Sequence, residues 1–203
     1  LTHTKNYIMK SIYLFVIAMF LATFTATAQD FSYGIIGGIN FSKVDNLGGS
    51  GFEDNRLGFH AGAFAELPFS EKWSYEASVL YSVEGEEFDT TFGEADVKLQ
   101  YLNVPVQFKY YAFENFSIHF GPQIGFLLKA EQSIDGGEEE KIEGTVNSSF
   151  AGTAGFGYNF KEVGLYLKGT FTYGFSDIFD NPADVEDRSQ LPGTVHLSLG
   201  YAF

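Results

Sequence analysis

Residues 193–203 read Gly193-Thr194-Val195-His196-Leu197-Ser198-Leu199-Gly200-Tyr201-Ala202-Phe203. Side chains of an extended chain leave on alternate faces. One face of this stretch is therefore Val195, Leu197, Leu199, Tyr201 and Phe203. The other is Thr194, His196, Ser198, Gly200 and Ala202. Period-two alternation predicts a strand with one bulky apolar face and one small polar face.

The same pattern recurs upstream. Segment 163–176 sets Val163, Leu165, Leu167, Phe171, Tyr173 and Phe175 against Tyr166, Lys168, Thr170, Thr172 and Ser176. Segment 146–160 sets Phe150, Ala154, Phe156, Tyr158 and Phe160 against Asn147, Ser149, Thr153, Gly155 and Gly157. Segment 116–131 sets Phe116, Ile118, Phe120, Ile124, Phe126 and Leu128 against Ser117, His119, Gly121, Gln123, Gly125 and Lys129. Segments 31–42, 57–67 and 73–84 alternate likewise, with Glu66, Glu76 and Glu84 on the polar faces. In segment 97–111, Val97, Leu99 and Tyr101 share one parity, while Leu102, Val104, Val106, Phe108 and Tyr110 take the other. A parity switch needs an extra residue, which predicts a β-bulge near Tyr101–Leu102, with Pro105 facing inward beyond it.

Eight such segments predict an all-β fold, an eight-stranded antiparallel up-and-down barrel. The interior of a barrel this small is only wide enough for side chains to fill. The bulky faces of eight strands do not fit there, so they face outward, and the outside is lipid. Closure pairs every backbone group, as a bilayer requires. The connections agree. Pro68–Lys72, Ala112–Asn115 and Lys161–Glu162 are short, whereas Lys43–Arg56, Gly85–Asp96, Gln132–Thr145 and Asp177–Pro192 are long, polar and mostly acidic. Short periplasmic turns and long external loops mark a bacterial outer-membrane barrel. Trp73, Tyr75, Tyr110, Tyr111, Phe116, Tyr158 and Phe160 lie beside the short turns and suit an aromatic girdle at the periplasmic interface.

The chain opens with an address. Lys10 precedes the apolar run Ile12–Phe24, and Ala26-Thr27-Ala28 follows it. A basic start, a short apolar core and a small-residue site predict a signal peptide over 1–28, with a natural start at Met9 and a mature domain over 29–203. The run falls short of the ~20 residues a membrane helix needs. The whole chain carries 12 basic and 26 acidic residues, net −14. Removing 1–28 takes away Lys5 and Lys10 and no acid, which leaves 10 basic residues against 26 acidic ones. That balance excludes nucleic acid as a partner, since a polyanion requires a basic surface. With no cysteine, thiolate metal sites and cysteine nucleophiles are excluded as well.

Tyr101-Leu102-Asn103-Val104-Pro105-Val106-Gln107-Phe108-Lys109-Tyr110-Tyr111 resembles the fourth-strand motif of the PorT-like outer-membrane β-barrel family of Bacteroidetes. Gly121-Pro122-Gln123-Ile124-Gly125-Phe126-Leu127-Leu128 is similar to the family's fifth strand, and Gly37-Gly38-Ile39-Asn40-Phe41-Ser42 to its first. The resemblance covers 29–203. It implies an OmpA/OmpX-like eight-stranded barrel with no catalytic residues and no cofactor. A terminal aromatic on the last amphipathic strand, here Tyr201 and Phe203, resembles the signal read by the barrel-assembly machinery.

Candidate chemistry is confined to the inward face. Sparsely hydrated charges pair, because an isolated one costs several kcal/mol. Glu66 and Glu76 are expected to pair with Lys109, with Lys168 and His119 completing a structural network in the lumen. His60, His119 and His196 lie on different strands, and no serine sits in a G-x-S-x-G elbow, so no enzyme is expected. The acidic runs Glu138-Glu139-Glu140 and Asp177 to Asp187 lack EF-hand spacing, so no metal site is assigned. The expected function is that of a non-enzymatic integral barrel. It would serve envelope structure or adhesion, or act as a component of an envelope complex through its loops, with outer-membrane lipid around it. A narrow transport pore and a soluble secreted barrel binding an apolar ligand are the alternatives.

Overall fold

The computed structural model describes residues 31–44, 56–90, 93–134, 140–141, 148–175 and 192–203. The expected signal peptide and Met9 lie outside these residues. Nine strands are described: β1 Ser32–Val44, β2 Arg56–Ser70, β3 Trp73–Thr90, β4 Gly93–Tyr111, β5 Phe116–Ile134, β6 Glu140–Lys141, β7 Ser148–Phe160, β8 Leu165–Gly174 and β9 Pro192–Ala202. Every pairing is antiparallel. β1 pairs with β2 on one side and β9 on the other, and the remaining long strands pair in sequence order. The eight long strands thus close into a barrel, and β6 adds a two-residue ladder beside Glu131 and Gln132 of β5.

The alternation decides the faces as expected. Along β9, Leu197 and Leu199 are 48% and 52% exposed, whereas His196 and Ser198 between and beside them are 7% and 8%. The large apolar residues of the other strands are exposed in the same way, among them Ile35, Phe59, Val79, Ile118, Phe156 and Phe171. Buried side chains are mostly polar: Asn40, Ser74, Glu76, Gln107, Lys109, Ser117 and His119 are almost fully enclosed. A small apolar cluster of Ile36, Phe64 and Tyr166 fills the lumen among them. Burial is therefore inverted relative to a water-soluble protein, as a lipid exterior demands.

Three expectations are corrected. First, β4 has no parity switch: Val97, Leu99 and Tyr101 are buried inside, in line with Asn103, Pro105, Gln107 and Lys109. The register does shift at this level, but the extra residue lies in β5. Gln100 pairs with Lys129 and Tyr101 with Leu127, leaving Leu128 as the bulged residue. Second, that bulge moves Lys129 from the expected inner face to the outer one, where its side chain is exposed and ion-paired with Glu131 at 2.5 Å. Third, most of Gly85–Asp96, expected as a loop, is strand. β3 continues to Thr90 and β4 begins at Gly93, paired from Gly85↔Lys98 to Thr90↔Gly93.

A closed lumen lined by paired charges

The polar residues converge because β2, β3, β4 and β8 each send one charged side chain inward near the short-turn end. Ladder pairing places Glu66 beside Glu76, and Ser74 beside Lys109. The Lys109 ammonium donates to Glu66 Oε2 at 2.6 Å and to Glu76 Oε2 at 3.0 Å. Lys168 donates to the other oxygen of Glu76 and to Gln107 Oε1 at 2.5 Å. Gln107 donates onward to Thr153 Oγ1 at 2.7 Å. Two carboxylates and two ammoniums therefore cancel in formal charge across the bore. His119, also expected in this network, makes no ion pair among the described residues; its Nε2 lies 2.9 Å from Thr170 Oγ1.

Two tyrosines complete the cluster. Tyr166 donates to Glu76 at 3.3 Å, and Lys109 Nζ lies 4.1 Å from the centre of its ring, within cation–π range. Tyr111 donates to Glu66 Oε1 at 2.6 Å and accepts from Asn159 Nδ2 at 3.1 Å. This corrects the girdle expectation for Tyr111. Tyr110 and Tyr111 are consecutive strand residues, so they face opposite ways, and it is Tyr111 that turns inward beside Ser117.

A second cluster lies nearer the long-loop end. Asn40 Nδ2 donates to Ser82 Oγ at 2.8 Å and to the Val83 carbonyl at 3.1 Å. A carbonyl only accepts, so the amide orientation is fixed and Asn40 Oδ1 must accept from its other neighbours. Those are His60 Nδ1 at 2.6 Å and His196 Nδ1 at 2.7 Å, so both rings carry a proton on Nδ1. Ser198 Oγ lies 2.8 Å from His60 Nε2. Glu84 accepts from Ser82, Asn103 and Thr194. At the same level Asn40 and Ser42 reach across to the backbone of Val83 and Gly85, drawing β3 toward β1.

Ser198, His60 and Asn40 are connected in the order nucleophile, base and orienter. Sequence reasoning missed this, because the three residues come from β9, β2 and β1 and only barrel closure joins them. The space beside them decides what they can do. The void at mid-lumen measures about 20 Å³, close to the volume needed for one water molecule. Toward the short turns the lumen opens into a vestibule of about 960 Å³, floored by Glu66, Tyr111 and Tyr166. The ion-paired cluster stands between the two. Among the described residues no group of His, Asp or Glu is arranged to hold a metal.

The model for the outer membrane protein beta-barrel domain matches residues 27–180. The chain belongs to that family. Solved barrels share its fold. Ail, the attachment invasion locus protein of Yersinia pestis, was solved in complex with the heparin analogue sucrose octasulfate. It is 21% identical with a TM-score of 0.51, the alignment covering 86% of this chain and 100% of that one. Neisserial surface protein A is 13% identical with a TM-score of 0.54, covering 85% and 97%. No curated protein matches the chain.

As an outer membrane protein beta-barrel domain, the chain is integral to the bacterial outer membrane, and the soluble alternative is set aside. Its outward face fits a bilayer in height. From Trp73 to Tyr81, β3 rises ~27 Å at about 3.4 Å per residue, or about 21 Å along the barrel axis at a tilt near 40°, against an apolar band of about 25 Å. Above that band the outer face turns polar: Tyr81 donates to Gln100 at 2.9 Å, beside Lys129 and Glu131. At the short-turn end aromatic rings meet in pairs, Trp73 with Tyr110 at 4.8 Å, Tyr158 with Phe160 at 4.9 Å, and Tyr75 with Phe108 at 5.0 Å. Tyr201 and Phe203 join them from β9 at 5.5 Å.

Proposed function

We propose that this barrel is a non-enzymatic, non-conducting outer-membrane anchor. It would display its acidic outer segments for envelope structure, adhesion or assembly with an envelope partner. The observation that carries this reading is the plugged bore: Glu66, Glu76, Lys109, Lys168 and Gln107 meet across it at hydrogen-bond distance. An open channel would leave such charges hydrated and apart. The void beside Ser198 and His60 has no room for an acyl substrate, which supports the non-enzymatic part.

In this reading the chain is a PorT-like barrel of Bacteroidetes, exported by a cleaved signal peptide and inserted after the barrel-assembly machinery recognises Tyr201 and Phe203. The outward aromatics beside the short turns would contact interfacial lipid. A polysulfated ligand like that of the Yersinia protein is disfavoured, because the chain's net charge of −14 repels polyanions.

The purified barrel in a planar lipid bilayer is expected to be electrically silent, and a fluorophosphonate probe is expected to leave Ser198 unlabelled. Discrete, reproducible conductance steps would favour the narrow pore instead. A pull-down from intact envelopes would then identify what the acidic loops hold.

A further inference from the structure

Among the described residues, two enclosed polar atoms at mid-lumen have no protein partner: His196 Nε2 and Thr172 Oγ1. Both residues are more than nine-tenths buried, and both line the void of about 20 Å³. The hydrogen bonds around Asn40 fix the chemistry of the first. His196 Nδ1 carries the proton given to Asn40 Oδ1, so Nε2 of the neutral ring is a bare acceptor. The ladder fixes the spacing. His196 pairs with Thr170 and Thr194 with Thr172, so His196 and Thr172 are diagonal neighbours on one face of adjacent strands. Diagonal positions lie about 7–8 Å apart. No hydrogen bond joins the two side chains directly, so one small molecule between them would satisfy both atoms.

We propose that this void is a binding site for one resident water molecule, which donates to His196 Nε2 and hydrogen-bonds the Thr172 hydroxyl. The volume selects the ligand, since a water needs at least ~10–15 Å³ of such space and two to four polar partners. The lining selects it too: an apolar guest would leave His196 Nε2 and Thr172 Oγ1 in the wall without partners. The Lys168 ammonium on the wall opposes a metal cation, and the bare His196 acceptor opposes an anion.

The test is NMR of the full barrel in lipid nanodiscs with ¹⁵N-labelled histidine. His196 should show the Nδ1–H tautomer, with Nε2 shifted as a hydrogen-bond acceptor. A long-lived water should transfer magnetisation to the His196 ring. Thr172→Val, which keeps the shape of the side chain, should abolish that transfer and move the Nε2 resonance toward the unbonded value. The wild-type spectrum decides even where the variant fails to fold. An Nε2–H tautomer at His196, or a ring with no long-lived water beside it, would overturn the proposal.

Discussion

Lys109→Met removes one ammonium from between two carboxylates and keeps a flexible side chain of similar length. That ammonium sits 2.6 Å from Glu66 and 3.0 Å from Glu76, and the Lys109, Glu66 and Glu76 side chains are at most 9% exposed. Screening by solvent is therefore slight. Glu76 retains Lys168, and Glu66 retains hydrogen bonds from Ser74 and Tyr111. Glu66 is then the carboxylate left without its cation, and an uncompensated buried charge costs about 3–5 kcal/mol. With a urea slope of order 1–3 kcal/mol per molar, the unfolding midpoint should fall by roughly 1–5 M. Trp73, the single tryptophan, reports the transition by fluorescence in phospholipid vesicles. Adding Glu66→Gln to Lys109→Met removes the orphaned charge and should restore part of the stability. An unchanged midpoint in the single variant would refute the reasoning that the bore is closed by mutually dependent charges.

Two further substitutions separate the faces. Tyr111→Phe deletes the hydroxyl that donates to Glu66 and should cost about 1.5–3 kcal/mol, as for hydrogen bonds to charged groups; Tyr110→Phe on the lipid side should leave the same urea midpoint nearly unchanged. Leu199→Arg puts a cation on the outward face of β9 and should cost up to about 2–4 kcal/mol, the cost at the bilayer midplane; Lys161→Gln, in a short turn where its pair with Glu114 is exposed at both ends, should fall within ~0.5 kcal/mol.

Much of the fold is legible in the alternation. Strands such as 193–203 announce both their period and their bulky face, and the impossibility of packing that face into eight strands puts it in contact with lipid. The ion pairs are legible because Glu66, Glu76, Lys109 and Lys168 are charged residues in the polar parity. The misreadings share a physical origin. Above the bilayer the rule that bulky residues face out reverses, so Val97, Leu99 and Tyr101 fill the lumen while Lys129 and Glu131 pair on the outer side. A parity read from apolarity alone then places the bulge in β4 instead of β5. Neighbourhood alone assigns Tyr111 to the girdle, although its adjacency to the outward Tyr110 already dictates the opposite face. The Ser198, His60 and Asn40 alignment is invisible in the sequence because β1, β2 and β9 meet only through closure.

The most direct test of the account is the environment of successive residues on one strand. The chain has no cysteine, so single-cysteine variants at 196, 197, 198 and 199 each carry one spin label. In bilayers, labels at Leu197 and Leu199 should collide freely with oxygen and poorly with a water-soluble nickel chelate. Labels at His196 and Ser198 should be shielded from both. The reverse phase would contradict the lipid-facing assignment, and chelate access at His196 or Ser198 would contradict a closed lumen.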